Sequence, residues 1–341
     1  MTDVPPLCGS KQAREPGVIF EGAITLSGID ARIAEVRELE RSVRNHINTH
    51  RYQSVLLQDS NGWNQICSSL DVIGDTICSI ESYQLQPFPN ETGMKYVVTY
   101  GILQALFIQQ DALRHLSEAF EIEYKGNAIL KEIRENRNAA IGHPTKQNRG
   151  GECFYNHVSR ISLSKKGFDL LRFSKSRPHE MIRVDIISAI ESQLDCIAVD
   201  YKRISEKLSE IDRMHRNKFK NTQLQDIFHS AMGYSFEKIA SGIYAYSYGD
   251  KDFGHSNLHM VKTAYQRFEA ALKERNELAS HTEFDLKEYF HAIEKLDQYF
   301  TGASQWMEEA DARIYHTYLL NQHEHFVQIA REIDQDYAEK T

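Results

Sequence analysis

The chain of 341 residues is long enough for two domains or one elongated helical domain, because single hydrophobic cores rarely grow beyond about 250 residues. Its 40 basic and 48 acidic side chains give a net charge of -8, which excludes a basic field over the whole molecule and leaves only a local patch for nucleic acid. The five cysteines contain no Cys-x-x-Cys pair, which argues against a disulfide framework or zinc knuckle and favours a reducing cytoplasm.

The first 28 residues hold three of the seven prolines and little periodicity, so we predict an irregular N-terminal arm over 1–28. No window approaches the run of about 18 apolar residues that a membrane span needs, and we expect neither a signal peptide nor a membrane partner. Helical periodicity begins after residue 28. The residues that share the apolar face of the first predicted helix are Ile33, Val36, Val43 and Ile47.

A second helix is predicted from 62 to 83, ended by Pro87 and Pro89. A strongly apolar helix from 93 to 121 is the predicted central helix. Its buried faces are marked by Val97, Tyr100, Leu103, Leu106, Phe107 and Leu113. Polar and aromatic residues of the same helix are candidates for lining a cleft, with core packing the default for the tyrosines: Tyr96, Tyr100, Gln104, Gln109 and Gln110.

The next helix, from 126 to 141, is predicted to stop at the sequence Gly142-His143-Pro144. Gly suits the left-handed position after a helix, and Pro cannot continue the hydrogen-bond ladder. A short β-hairpin is predicted over 154–173 around the turn Lys165-Lys166-Gly167. Residues 29–183 therefore form a first predicted domain.

A heptad-like seam follows in the predicted long helix of residues 184–220. Its apolar residues are alternately three and four apart: Ile187, Ile190, Leu194, Ile197, Tyr201, Ile204, Leu208 and Ile211. The pattern is equally compatible with a dimerisation helix over 187–211 and with a long helix packed inside its own bundle.

Residues 221–341 predict a second helical domain. Its expected helices cover 224–246, 257–280, 284–300 and 305–337, with a loop at Gly249 to Gly254. His255 and His259 are four apart, but no Glu follows His255 as a metalloprotease motif requires, and Gly254 leaves the helix start undefined. We therefore predict no metal ligands.

The pattern Arg-Asn-x4-His occurs twice, as RNAAIGH at 137–143 and RNELASH at 275–281, each near the end of a predicted helix. RNA carries its own nucleophile, the 2'-hydroxyl, so its cleavage needs proton transfer and stabilisation of a phosphorane. Histidine can transfer the proton, and arginine offers a charged planar fork to phosphate oxygens. The candidate catalytic residues are Arg137, Asn138, His143, Arg275, Asn276 and His281.

The spacing places Arg and His about 120° apart on a continuous helix, so they would not share a face. A helix that ends at Gly142 is expected to swing His143 back toward Arg137, whereas the second copy lacks this break. Basic neighbours of the motifs indicate a local RNA-binding patch or, alternatively, ordinary solvated helix faces. The candidate RNA-binding residues are Lys131, Arg134, Lys146, Arg149 and Lys273.

Both motifs resemble that of the HEPN superfamily, in which Arg, often followed by a polar residue, precedes His by a few positions. The resemblance covers 93–148 best and 224–300 less closely, and neither His is followed two residues later by the Tyr of one toxin-type group. It implies an all-α, elongated multi-helix bundle with HEPN-like cores, here with one short β-hairpin insertion. In that family, paired motifs form a composite cleft, commonly across a dimer, that cuts RNA without a metal.

The resemblance therefore implies a metal-independent endoribonuclease that yields 2',3'-cyclic phosphate and 5'-hydroxyl ends, commonly as a toxin or in antiviral defence. It implies RNA as partner, a homodimer through the cleft or the 187–211 helix, a possible regulatory partner protein, and no cofactor. The alternative is a noncatalytic HEPN-like helical scaffold that binds a nucleotide or partner protein.

Overall fold

The computed structural model describes residues 28–228, 231–244 and 251–339. The protein is mostly α-helical with one small four-stranded antiparallel sheet, which confirms the predicted fold class of helices with a short β insertion. The described residues fall into two compact units, one of 28–47 with 56–207 and one of 48–55 with 208–339. This division differs from the predicted boundaries at 183/184 and 220/221. The predicted arm lies outside the described residues except for Gly28.

Three long helices and one shorter helix contribute to the first unit's core and contain its candidate site. They are α1 (Gly28–Ile47), α3 (Ser60–Leu85), α4 (Thr92–Ala119) and the shorter α5 (Ala128–Arg137), while a short unpredicted helix α2 (His50–Leu56) lies between α1 and α3. The predicted apolar face of α1 is buried at all four positions. On α4 the prediction is wrong for Val97, whose side chain is 61% exposed.

The end of α5 has an unusual backbone. The α-helix stops at Arg137, and Asn138–Gly142 form a single π-helical turn that closes with the His143 amide donating to the Asn138 carbonyl at 2.7 Å. The helix therefore stops where predicted, but the predicted reason is wrong, because Gly142 is not left-handed and is instead the last residue of the π-helical turn. The route to that stop is a wider turn, a feature that proteins often place at functional sites.

The sheet follows directly, with strands in the order β1 (Gln147–Arg149), β2 (Glu152–Val158), β3 (Gly167–Ser174) and β4 (Glu180–Asp185). The predicted hairpin corresponds to β2 and β3, which pair from Phe154 with Ser174 to Val158 with Leu170. The prediction missed β1 and β4, because β1 is three polar residues and β4 runs directly into the next helix. Gly167 is required at its turn, since its φ is 150° and a Cβ there would lie 2.0 Å from the Val184 carbonyl oxygen.

The long helix α6 (Ile186–Phe219) has the predicted seam, but the seam is not free for a partner. Six of its eight residues are buried in the chain's own core, whereas Ile187 is half-buried and Ile211 is exposed: Ile190, Leu194, Ile197, Tyr201, Ile204 and Leu208. Dimerisation through this seam was therefore the wrong alternative. The same periodicity occurs in a helix packed inside its own bundle, because a dimeric coiled coil and an intramolecular bundle both require one apolar stripe along the helix.

The second unit is built from α7 (Met232–Tyr244), α8 (Lys251–Glu274), α9 (Ser280–Thr301) and α10 (Glu309–Glu339) around an aromatic core. At its centre Tyr265, Tyr289 and Phe326 are mutually packed, with ring centroids 4.0 to 5.4 Å apart. Among the described residues, no helix is long and apolar enough to cross a membrane.

Three predicted boundaries in this unit were wrong. A 3-10 turn at Gln225–Ile227 precedes α7, which begins only at Met232. The predicted loop at Gly249 to Gly254 lies partly outside the described residues, and its remaining part, from Lys251, is helical. α8 ends at Glu274 and not at Ser280, because Asn276 adopts a left-handed φ of 55°.

Candidate active site

The guanidinium of Arg137 is fixed against α4 by neutral partners. Its Nε and Nη2 both donate to Gln104 Oε1, at 3.0 and 2.6 Å, and its Nη1 donates to Asn138 Oδ1 at 2.9 Å. The guanidinium carbon lies 4.2 Å from the centre of the Phe107 ring. Arg137 is half-buried, and no carboxylate forms an ion pair with it in the part of the chain that the structure describes. Its positive charge is held in place without being neutralised.

Gly142 makes room for this guanidinium. A Cβ at Gly142 would lie 3.0 Å from Arg137 Nη1 and 3.4 Å from Asn138 Oδ1. The π-helical turn thus brings the last residue of the turn back over the Arg137 side chain. This close approach explains why the first motif has glycine at position 142.

His143 follows immediately and is exposed to solvent. The chain after it is tied to the sheet, because the Asn156 amide donates to the Pro144 carbonyl at 2.7 Å. Asn156 is buried, and its side chain donates to Gln147 Oε1 at 3.2 Å and accepts from Arg172 Nε at 3.1 Å. The sheet therefore fixes the backbone on one side of His143, and the π-helical turn fixes it on the other.

The basic residues predicted around the first motif fall into two kinds. Arg134 pairs with Asp111 at 3.0 Å and lies 4.0 Å from the centre of the Phe107 ring, and Arg149 pairs with Glu135 at 2.9 Å. Lys131 and Lys146 are exposed, with no carboxylate partner among residues 28–228, 231–244 and 251–339. Only the two lysines thus keep an uncompensated charge.

A groove of about 450 Å³ lies beside this cluster, between the end of α4 and the start of α5. Its walls include Arg114, Lys131 and Arg134, with Asp111 as the single acidic side chain, and the ring of Tyr124. A groove of this size is in the range that holds a small ligand. Its lining is net positive next to the first motif.

Gln104 and Phe107 are the positioning residues of the first motif. Gln104 was a candidate for lining a cleft, and in the structure it accepts two hydrogen bonds from Arg137. Gln109 and Gln110 instead form a buried amide cluster with Gln193, at 2.6 and 2.8 Å. Gln104 and Phe107 could have been identified together from their i, i+3 spacing. Asp111 lies one turn further on the same face of α4, and this face contacts both Arg137 and Arg134.

The second motif is arranged differently. Arg275 is 4% exposed, and it pairs with the buried Asp334 at 3.6 Å and donates to the hydroxyl of Thr222 at 3.1 Å. Its guanidinium lies 5.1 Å from the centre of the Phe219 ring. The positive charge is neutralised and enclosed, which argues against the predicted role of Arg275 in holding a phosphate.

Asn276 and the residues around it form the end of α8. With φ at 55°, Asn276 donates its amide to the Lys273 carbonyl at 3.1 Å, and the Glu277 amide donates to the Leu272 carbonyl at 2.9 Å. These two bonds are the Schellman pattern that closes many helices. Lys273, predicted to bind RNA, is paired with Glu269.

His281 is exposed in the first turn of α9, and a different histidine contacts Arg275. His215 Nε2 lies 3.1 Å from the Arg275 carbonyl oxygen and 2.9 Å from the Tyr337 hydroxyl. Burial and the charge of Arg51 lower the pKa of His215. The second motif therefore uses its Arg and Asn to hold the fold together.

Comparison of this chain with protein-family models, with curated proteins and with solved structures finds no match in any of the three.

Proposed function

We propose that the protein is a metal-independent endoribonuclease of HEPN type whose site is the first motif alone. The observation that carries the proposal is the Arg137 guanidinium, which Gln104, Asn138 and Phe107 fix without a carboxylate partner among the described residues. A preorganised positive charge in a partly dry setting is what a developing phosphorane dianion needs. Asn138 orients the guanidinium.

His143 supplies the proton transfer in this proposal. The 2'-oxygen attacks phosphorus as its proton leaves to a base, and the bond to the 5'-oxygen breaks as that oxygen takes up a proton. The products are a 2',3'-cyclic phosphate and a 5'-hydroxyl. One imidazole beside the scissile phosphate can remove the first proton or deliver the second, so a second histidine completes the pair efficiently.

A second copy of the chain is the proposed source of that histidine, because paired motifs in HEPN proteins commonly face each other across a dimer and the buried, ion-paired Arg275 leaves the second motif without an arginine for phosphate. The support is an exposed stripe on α4 beside Gln104, formed by Met94, Val97, Gly101 and Ile108. A Cβ at Gly101 would meet no atom within 4 Å, so another backbone can approach there. Apolar side chains next to a charged site are typical of an interface core and its rim.

RNA binding in this proposal uses Lys131 and Lys146, whereas Arg134, Arg149 and Lys273 contribute less because each is paired with a carboxylate. A cytoplasmic toxin or antiviral role, with a regulatory partner protein, is the context that the HEPN resemblance suggests. A noncatalytic scaffold is the second candidate, favoured by the structural use of Arg275 in the second motif.

The test is cleavage of total RNA by the untagged chain in excess EDTA, comparing wild type, His143→Ala and His281→Ala. Both histidines are exposed and occupy the last position of the same pattern, so His281→Ala is the matched control. We expect His143→Ala to lower the rate by about 100-fold or more and His281→Ala to leave it unchanged. If the wild-type protein leaves RNA intact, the noncatalytic scaffold is favoured. If both variants lose activity equally, a site built from both motifs is favoured.

A further inference from the structure

Two histidines and one aspartate of the second unit lie together at the start of α8 and the end of α9. One ligand atom from each of His255, His259 and Asp297 lies within 4.8 Å of those of the other two. His255 Nε2 is 2.7 Å from Asp297 Oδ1, and His259 Nε2 is 3.7 Å from the same oxygen. We propose that this cluster binds a divalent zinc-type metal ion.

The helix geometry accounts for the cluster. α8 begins at Lys251, so the two histidines, four residues apart, lie on one face of a formed helix, and their ring centroids are 4.8 Å apart. α9 packs against α8, which brings Asp297 from 38 residues beyond His259 to that face. The sequence alone showed two ligands and an undefined helix start, and for that reason it predicted no site.

A hydrogen bond alone does not explain the arrangement. The His255 to Asp297 distance suits one hydrogen bond, but at 3.7 Å His259 is too far from the carboxylate to form a second. Around a tetrahedral ion with bonds of about 2.0 to 2.1 Å, ligand atoms stand roughly 3.4 Å apart. The first pair would open by about 0.7 Å, the second would close by a few tenths of an ångström, and the two histidine ligand atoms, which lie within 4.8 Å, would also approach each other. Side-chain torsions supply these movements.

The donor set selects the metal class. Two imidazole nitrogens and one carboxylate oxygen suit zinc and neighbouring transition metals, whereas calcium and magnesium prefer oxygen ligands alone. Three protein ligands leave the fourth position to water or to a substrate oxygen. His259 is mostly exposed and Asp297 about one-third exposed, so solvent reaches the cluster. His255 lies against the Phe300 ring, at 6.0 Å, which makes one wall apolar.

The experiment is a titration of the untagged, metal-stripped full chain with Zn²⁺ by calorimetry, and with Co²⁺ by visible absorption. We expect one Zn²⁺ per chain and the absorption bands of four-coordinate Co²⁺. His259→Gln should weaken Zn²⁺ binding by about 100-fold or more, since even losing a group that supports a ligand costs 10- to 100-fold. Because His259 is exposed, this variant is expected to fold.

The matched control is His325→Gln. His325 is also an exposed histidine near an aspartate, 3.6 Å from Asp285, but without a second histidine in the group. It should bind Zn²⁺ as tightly as the wild type. The proposal is overturned if the wild type takes up no Zn²⁺, or if His259→Gln and His325→Gln bind it equally well.

Discussion

Two arginines in the same sequence pattern differ in how their charge is satisfied. Arg137 is held by two amide side chains and a phenyl ring, and its charge remains available to an anion. Arg275 is buried beside Asp334, and this carboxylate neutralises its charge. Identical spacing in sequence thus gives one arginine held by neutral partners and one structural ion pair.

Stability measurements should separate these two arginines. Arg275→Ala leaves the buried Asp334 carboxylate without its cation, although that carboxylate still accepts the Leu224 and Gln225 amides at 2.9 and 3.0 Å. We expect it to lower the free energy of unfolding by about 3 kcal/mol. Arg137→Ala removes hydrogen bonds to neutral, partly solvated groups and should cost roughly 1 kcal/mol.

The measurement is urea unfolding of both variants beside Lys287→Ala. That control breaks an exposed pair with Glu283 and should leave the unfolding midpoint unchanged. If Arg275→Ala is as stable as wild type, the ion pair is not structural and Arg275 is free to bind a ligand after all.

At the residue level the sequence predicted the candidate side chains but not their contacts. It identified Arg137, His143 and Gly142 from spacing, and Gln104 from its place on the central helix. It separated the two motifs only by the helix stop at Gly142, which the second copy lacks. It did not show that the charge of Arg275 is neutralised, because the partner, Asp334, lies 59 residues further along the chain. The proposed metal cluster was not predicted either, because the sequence did not show that Asp297, 38 residues beyond His259, lies beside the two histidines.

At the level of elements, the close contact of α7 with α8 depends on two glycines. A Cβ on Gly242 would lie 2.7 Å from the Gly254 Cα, which is a backbone atom and cannot rotate away. Gly254 precedes His255, so this contact also fixes the start of α8. The predicted loop was wrong here because a glycine that looks like a helix breaker serves a close helix crossing.

Gly242→Ala should therefore destabilise the second unit by about 1 to 3 kcal/mol, since the helices must move apart to accept the methyl group. Gly233→Ala on the same helix is the control, because a Cβ at that position meets nothing within 4 Å. It should raise the free energy of unfolding by about 0.5 to 1 kcal/mol, as alanine favours helix over glycine. Thermal unfolding checks both, and equal effects would contradict the close crossing.

The hydrophobic periodicity of the sequence predicted which segments are helices, but it did not predict where those helices begin and end. The apolar stripes of α1 and α6 were both predicted; the stripe of α1 is buried at all four positions and that of α6 at six of eight. Whether a stripe faces its own core or a second chain depends on distant segments, so the seam of α6 could not be assigned from sequence. Short polar β1 carries no periodic signal at all.

At the scale of the whole molecule, the proposed dimer is formed through α4. Val97→Glu would place like charges opposite each other at a two-fold interface. We expect this variant to be monomeric by light scattering and to lose most of its RNA cleavage. Val199→Glu is the matched control, because Val199 is 57% exposed, close to the 61% of Val97, and lies on α6. A monomeric wild type with full activity would rule out the dimer.

The most direct test of the account is the rate of RNA cleavage in EDTA by Arg137→Ala beside Arg160→Ala. Arg160 is an exposed arginine of the same unit and has no carboxylate partner among the described residues. If the fixed charge of Arg137 stabilises the transition state, its loss should lower the rate about 100- to 1,000-fold, with Arg160→Ala equal to wild type. Equal rates in the two variants would contradict the assignment of the first motif as the active site.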